Sequence, residues 1–325
     1  MSIKRGVSFY SYQDAYYRGQ YNLEDLIRIT SEIGAEGIEI LGESTPVGTF
    51  PNPSDAAVDQ WFGWMDKYKT KPTCFDSFID YQLFKGRILT LKEQVMQMER
   101  DLKLSARLGF SVMRVLCPVR KEIVEASIPI AEYYNVKMGV EIHAPMMLHS
   151  QWMEDYYEMF DRSGSRHAGI VVDFGCFQKR PPKKAVQNAL QQGGNEKILN
   201  FIVESCENFV PITETIEAIK KQGASPVELA LAMSFFRSRY SNPEHLRDVF
   251  KYIVHFHGKF SEMDENCIET SYDYENPIRI LKELGYDGYI NSEYEGHRLY
   301  IEPELADEVE QVRRHHIMMS KLIGE

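Results

Sequence analysis

The first 142 residues of this 325-residue chain contain no histidine; all nine lie from His143 onward. Any imidazole chemistry must therefore come from the second part of the chain. No uninterrupted apolar run is long enough to cross a bilayer. The opening "MSIKRGVSFYSYQDAYY" has no apolar core of signal-peptide length, so a secretory leader is not expected. Cysteine is scarce and unpaired in pattern: five residues (74, 117, 176, 206, 267), an odd number with no CxxC spacing, which argues against a disulfide framework. They read as reduced thiols of a cytoplasmic protein. Positive charge is also short. A net charge of −11 argues against nucleic acid as the main partner and against docking on an anionic membrane. With 43% hydrophobic and 26% charged residues and no low-complexity tract, the chain can bury a large core.

What is present is a repeated joint. "SEIGAEGIEIL" (31–41), "ARLGFSVMRVL" (106–116) and "KELGYDGYINSE" (282–293) each close an amphipathic helix on a glycine (Gly34, Gly109, Gly285) and pass into an apolar strand-like run. Glycine suits a helix end that turns left-handed. In "EYYNVKMGVEI" Asn135 takes that place. Strands are expected at 6–10, 36–41, 71–75, 112–116, 137–142, 168–173, 252–257 and 288–292. Helices are expected at 22–33, 55–68, 89–108, 119–134, 150–162, in several pieces of 184–250, and at 274–284 and 303–322. Alternation of this kind points to an α/β fold, a (β/α)8 barrel forming one domain over residues 1–325. A doubly wound sheet is the alternative, but no GxGxxG or P-loop accompanies any strand.

The repeat is interrupted once, between the sixth and seventh strands. Residues 174–250 carry an inserted helical region, with helices near 195–207, 211–222 and 226–239 and a capping signal at Ser225-Pro226-Val227-Glu228. It reads either as decoration on the barrel or as a lid or docking surface.

In such barrels the chemistry sits at the C-terminal ends of the strands. Strand five ends in "GVEIHAP", where Glu141 and His143, two apart, share one face. Strand six ends at Asp173, strand seven carries His255 and His257, and strand eight ends at Glu293. Each alone has a bland reading: an Asp at a strand end is commonly a helix cap, and a strand histidine is commonly a satisfied core group. His255, deeper in the barrel, is read as core. Coincidence on four consecutive strands favours a metal site with Glu141, Asp173, His257 and Glu293 as ligands. Three carboxylates and one imidazole suit Mn²⁺ or Mg²⁺ better than a structural zinc site. His143, one inward step beyond Glu141, is free to act as general base, though it could complete the metal shell. His143, Glu141 and Glu293 are thus the expected catalytic group. Lys259 either hydrogen-bonds substrate or balances the acids, and Glu295 and His297 continue the parity of strand eight into the pocket. Cys117 and Cys176 lie near strand ends but lack an activating motif and read as lining.

At these residues the chain resembles the xylose-isomerase-like barrel superfamily of sugar isomerases, epimerases and endonuclease-IV-type proteins. The matching pieces are "GVEIHAP", "VVDFG", "HFHGKF" and "NSEYEG", in the family's order, with "GVSFYSYQ" and "LEDLIRITSEIGAEGIEI" resembling its first βαβ unit. The resemblance implies one divalent metal held beneath a sugar by Glu141, Asp173, His257 and Glu293. There are departures. Phe260 stands where the family often has an aspartate, and "PTCFD" and "RVLCP" lack the histidines with which the DNA-repair branch holds further metals. More narrowly, "EIH", the extended region after "VVDFGCFQKRPP" and the "HGKFSEMDEN…NSEYEG" ending resemble the catalytic α subunit of bacterial C-glycoside deglycosidases. That resemblance implies a small β subunit as partner and a C-glycoside already oxidised to a ketone at sugar carbon three. The chemistry implied is proton abstraction beside the ketone and β-elimination of the aglycone. A metal-dependent keto-sugar isomerase or epimerase would share the first half of that route, and a non-catalytic sugar-binding barrel would share only the fold.

Overall fold

Gly34, Gly109 and Gly285 have φ of 78°, 83° and 71°, and Asn135 has 54°. All four joints are therefore left-handed, the conformation that glycine and, less readily, asparagine adopt. Each joint sends the chain directly from a helix into a strand. The computed structural model describes residues 2–234, 240–300, 302 and 306–324. Its strands are β1 (Lys4–Ser8), β2 (Gly37–Leu41), β3 (Lys71–Ser77), β4 (Val112–Val115), β5 (Lys137–Ile142), β6 (Ala168–Asp173), β7 (Ile253–Phe260) and β8 (Tyr289–Tyr294). They pair in chain order, all parallel, and β1 closes on β8 to complete a barrel. The expected α/β barrel is the fold.

Between the strands run α1 (Gln13–Tyr17), α2 (Leu23–Glu32), α3 (Asp55–Tyr68), α4 (Leu91–Arg107), α5 (Lys121–Tyr134) and α6 (Gln151–Ser163). Starts are set by local chemistry: Asn22 with Asp25, and Thr90 with Glu93, form reciprocal capping boxes at α2 and α4. The strands are buried on both faces, as parallel strands between a helical ring and a filled interior must be. Outward residues such as Ile38, Val140, Ile170 and Phe256 form the continuous core with the helices.

Several boundaries differ from the sequence expectation, β3 and β8 each running two residues further to Ser77 and Tyr294, and two of the differences have a clear local cause. β1 ends at Ser8 rather than running to residue 10, because Phe9–Tyr12 curls into a 3-10 turn. There the Ser11 hydroxyl donates to the Ser292 carbonyl at 3.0 Å and accepts from the Tyr294 amide at 2.9 Å, tying the turn to β8. β7 runs three residues beyond 257, because Lys259 and Phe260 continue pairing with Glu293 and Tyr294.

The insertion holds α7 (Lys183–Gln191), α8 (Glu196–Glu207), α9 (Ile212–Lys221) and α10 (Pro226–Ser234). Leu199, Ile202, Ile219 and Ala232 build a small core there, distinct from that of the barrel. The Ser225 capping signal is realised: the Glu228 carboxylate accepts from the Ser225 amide at 2.8 Å and also from the Asn195 amide. Asn188 donates to the Leu299 carbonyl at 2.6 Å, and the Lys184 amide donates to Glu262 at 3.0 Å. The insertion is thereby attached to the loops that follow β7 and β8, on the mouth side. After α11 (Leu246–Val249) come α12 (Glu275–Glu283) and α13 (Glu308–Ile323). The expected helical stretches 235–239 and 303–305 lie outside the described residues. No described helix is long and apolar enough to cross a membrane.

Candidate metal centre

Strand register brings the donors together. β6 and β7 pair so that Asp173 lies beside His257, and β7 and β8 pair so that Lys259 lies beside Glu293. Glu141 reaches from β5, its Oε1 standing 2.9 Å from His257 Nδ1; Glu293 Oε2 stands 3.6 Å from the same nitrogen. One donor atom from each of Glu141, Asp173, His257 and Glu293 lies within 4.8 Å of all the others. All four residues are buried. Glu293 Oε2 is buried with no hydrogen bond, an orphan that a cation would satisfy. The donor set and its size fit a divalent ion with oxygen preference.

The electrostatics point the same way. Five buried carboxylates (Glu39, Asp76, Glu141, Asp173 and Glu293) line the barrel interior, and the permanent cations set against them by ion pairs are Arg114 and Lys259. Burial opposes the charge on Glu141, yet Arg114, His257 and His143 outweigh it and hold that carboxyl well below the usual range. Burial pushes the Asp173 carboxyl well above its usual range, with Glu293 and Glu141 adding and the Lys259 ammonium opposing. Burial also works against the charge on Lys259, but Asp173, Glu295, Glu293 and Glu141 together keep it protonated far above its ordinary range. Lys259 Nζ sits 3.1 Å from Asp173, 3.4 Å from Glu295 and 3.7 Å from Glu293. It balances the acids from the rim of the set.

His143 follows β5 and is half-buried. Its Nδ1 lies 2.7 Å from the Ala144 carbonyl, which can only accept, so Nδ1 is the donor and, in the neutral ring, Nε2 is the nitrogen with the lone pair. His255 is buried and bound to Glu39 at 3.1 Å, the core placement expected for it. Glu295 is partly exposed next to Lys259. His297 is buried, its Nε2 held by Gln13 at 2.9 Å under the rings of Tyr10 and Tyr294. Burial pushes the Cys117 thiol up to about 12 and the Cys176 thiol well above its ordinary range, so both are inert lining.

Sequence reasoning concentrated on strands five to eight and missed three interior residues on the first half of the barrel. Asp76 on β3 accepts from Arg114 Nε on β4 at 2.8 Å, and Arg114 Nη1 stands 3.7 Å from Glu141. Glu39 on β2 stands 3.2 Å from His257 Nε2. The signal for Glu39 was available: "GIEIL" sets a glutamate between isoleucines just as "GVEIH" does.

The description "Xylose isomerase-like TIM barrel" belongs to the family whose sequence model matches residues 27–316. The chain belongs to that family. Among curated proteins it is 28% identical to the "3'-dehydrocarminate deglycosidase alpha subunit" of a Microbacterium species, over 98% of this chain and 95% of that one. It is 27% identical to a "C-glycoside deglycosidase alpha subunit" of Arthrobacter globiformis, over 99% of this chain and 93% of that one. Among solved structures, D-psicose 3-epimerase superposes with a TM-score of 0.60 at 10% identity, covering 99% of both chains, a likeness of fold. The expectation of an enzyme of deglycosidase, isomerase or epimerase type agrees with what this family member resembles.

Proposed function

We propose that the protein is a divalent-metal-dependent lyase cleaving the C–C glycosidic bond of 3-oxo-C-glycosides, acting as the catalytic α subunit of a C-glycoside deglycosidase. One observation carries the reading: a buried four-donor set draws on Glu141, two residues before a half-buried histidine whose Nδ1 is engaged by a backbone carbonyl, which leaves Nε2 as the nitrogen to take a proton. The names of the two curated relatives support the substrate class.

Glu141, Asp173, His257 and Glu293 would hold a divalent ion, Mn²⁺ or else Mg²⁺, which when bound would supply Lewis-acid stabilisation to a ketone oxygen. His143 Nε2 takes the proton from sugar carbon two, beside the ketone. The electron pair moves into the carbonyl to give an enolate. Its return forms the double bond between carbons one and two and expels the aromatic carbon, which takes up a proton. Glu141 and Glu293 belong to this centre by fixing the ligand geometry. Lys259 and Glu295, at the rim, hold sugar hydroxyls, and His297 acts on the pocket through Gln13. A small β subunit completes the enzyme, in keeping with the α-subunit names of the relatives. The five free thiols fit a cytoplasmic setting. The barrel and the 174–250 insertion are taken as one domain.

The test starts with elemental analysis of wild-type, Glu141→Gln and Glu293→Gln protein. About one Mn²⁺ per chain in wild type, lost in both variants, is the expected result. A 3-oxo-C-glycoside should then release free aglycone. Deuterium from solvent in recovered sugar, with no aglycone, would instead establish the isomerase or epimerase reading. Absence of metal after Mn²⁺ is added back would leave a sugar-binding barrel.

A further inference from the structure

His257 has a carboxylate close to each ring nitrogen, and Nε2 and Glu39 Oε1 are buried with no other hydrogen-bond partner. On the mouth side Nδ1 faces Glu141 at 2.9 Å and Glu293 at 3.6 Å. On the opposite side Nε2 faces Glu39 Oε1 at 3.2 Å. Glu39 is fully buried on β2, across the barrel from β7. Its other oxygen is already committed: Oε2 accepts from Asn291 Nδ2 at 2.8 Å and meets His255 Nε2 at 3.1 Å. Asn291 is itself fixed, donating to Thr73 Oγ1 at 3.0 Å. It occupies space left by Gly6, where a Cβ would come within 2.0 Å of the Asn291 amide oxygen. The carboxylate is thus clamped from β7 and β8, with Thr73 of β3 holding Asn291, and one oxygen is left to face His257.

We infer that Glu39 is a positioning residue for the metal centre: it accepts a hydrogen bond from His257 Nε2–H, fixing the ring so that the Nδ1 lone pair points into the Glu141, Asp173 and Glu293 set. A carboxylate behind a ligating imidazole holds its tautomer and orientation and raises its basicity; losing such a partner costs about 10–100-fold in metal affinity. His255 and Asn291 serve the same end one step further out, by holding Glu39. The inference rests on the metal reading of the four-donor set. Glu39, Cys74, His255 and His257 also bring donor atoms within 4.8 Å of one another, which poses a rival: a second metal sharing His257. A cage that recruited His255 Nε2 would have to release its 3.1 Å contact with Glu39 Oε2, which favours the positioning role.

The test uses Co²⁺ as the probe, titrated into the metal-free full-length protein, with the visible absorption bands followed. Wild type should bind one Co²⁺ per chain. Glu39→Gln should weaken binding by roughly 10–100-fold and shift the Co²⁺ bands, while Glu39→Asp, which keeps the charge, should recover part of the affinity. Circular dichroism of each metal-free variant checks folding. Unchanged affinity and bands in Glu39→Gln would overturn the positioning role while leaving the metal site standing. Two Co²⁺ per chain, with Cys74→Ser and Glu39→Gln each removing only one, would overturn it in favour of a second site. No Co²⁺ binding by wild type would overturn the metal reading itself, and the inference with it.

Discussion

His143 and His257 are two imidazoles from adjacent parts of one barrel mouth, and their surroundings divide the labour. His257 is fully buried between carboxylates, and burial, which would discharge it, is outweighed by Glu39 and Glu293, so its pKa lies well above the ordinary histidine value. His143 is half-buried, with only a backbone carbonyl on its Nδ1. His143→Ala should lower turnover by about 100-fold or more while retaining the ion, whereas His257→Ala should lose it; metal analysis beside the turnover assay separates them. A second prediction concerns Glu308, at the start of α13. Burial pushes its carboxyl up to about 7, with Asp14 adding and the Ala15 and Asp14 amides opposing. A carboxyl raised in the folded state binds its proton more tightly there than in the unfolded chain. Its contribution is complete below about pH 4.5 and is lost as pH rises through about 7. Glu308→Gln, which still accepts the Ala15 amide, should therefore flatten the fall in thermal midpoint between those values.

The joints and caps are legible element by element because they are local. A left-handed residue closes a helix whatever the rest of the chain does, and Asn135 at φ 54° does so without glycine's freedom. The insertion is different in kind: it has its own apolar core, capped and cross-linked by Glu228, which joins the start of α10 to the amide before α8. Glu228→Ala should remove about 1 kcal/mol of local stability. Hydrogen exchange should then run roughly fivefold faster in residues 183–234, with β1–β8 unchanged. Equal acceleration throughout would show that the insertion and barrel open together.

For the whole molecule, the acid excess inside the barrel is a stored electrostatic penalty that a cation relieves. Free Mn²⁺ at a hundredfold above its Kd should stabilise the fold by about 2.7 kcal/mol. That should raise the thermal midpoint by a few degrees and be reversed by a chelator. The gain should vanish in Glu293→Gln. A gain of the same size in that variant would place the ion elsewhere.

The sequence by itself determined the alternating elements, the four left-handed joints and the four donors on β5 to β8. Each depends on residue type and on side-chain parity along a short run, and parity aims a strand's alternate residues at the barrel axis before any strand is paired. Closure was decided by tertiary structure, because only pairing β1 with β8 places Glu39 of β2 opposite His257 of β7. So was the end of β1, where Ser11 prefers β8 to a continued strand. Glu39 meets His257 only across the barrel, and Asp76 meets Arg114 only once β3 pairs with β4, so neither contact leaves a local spacing to read.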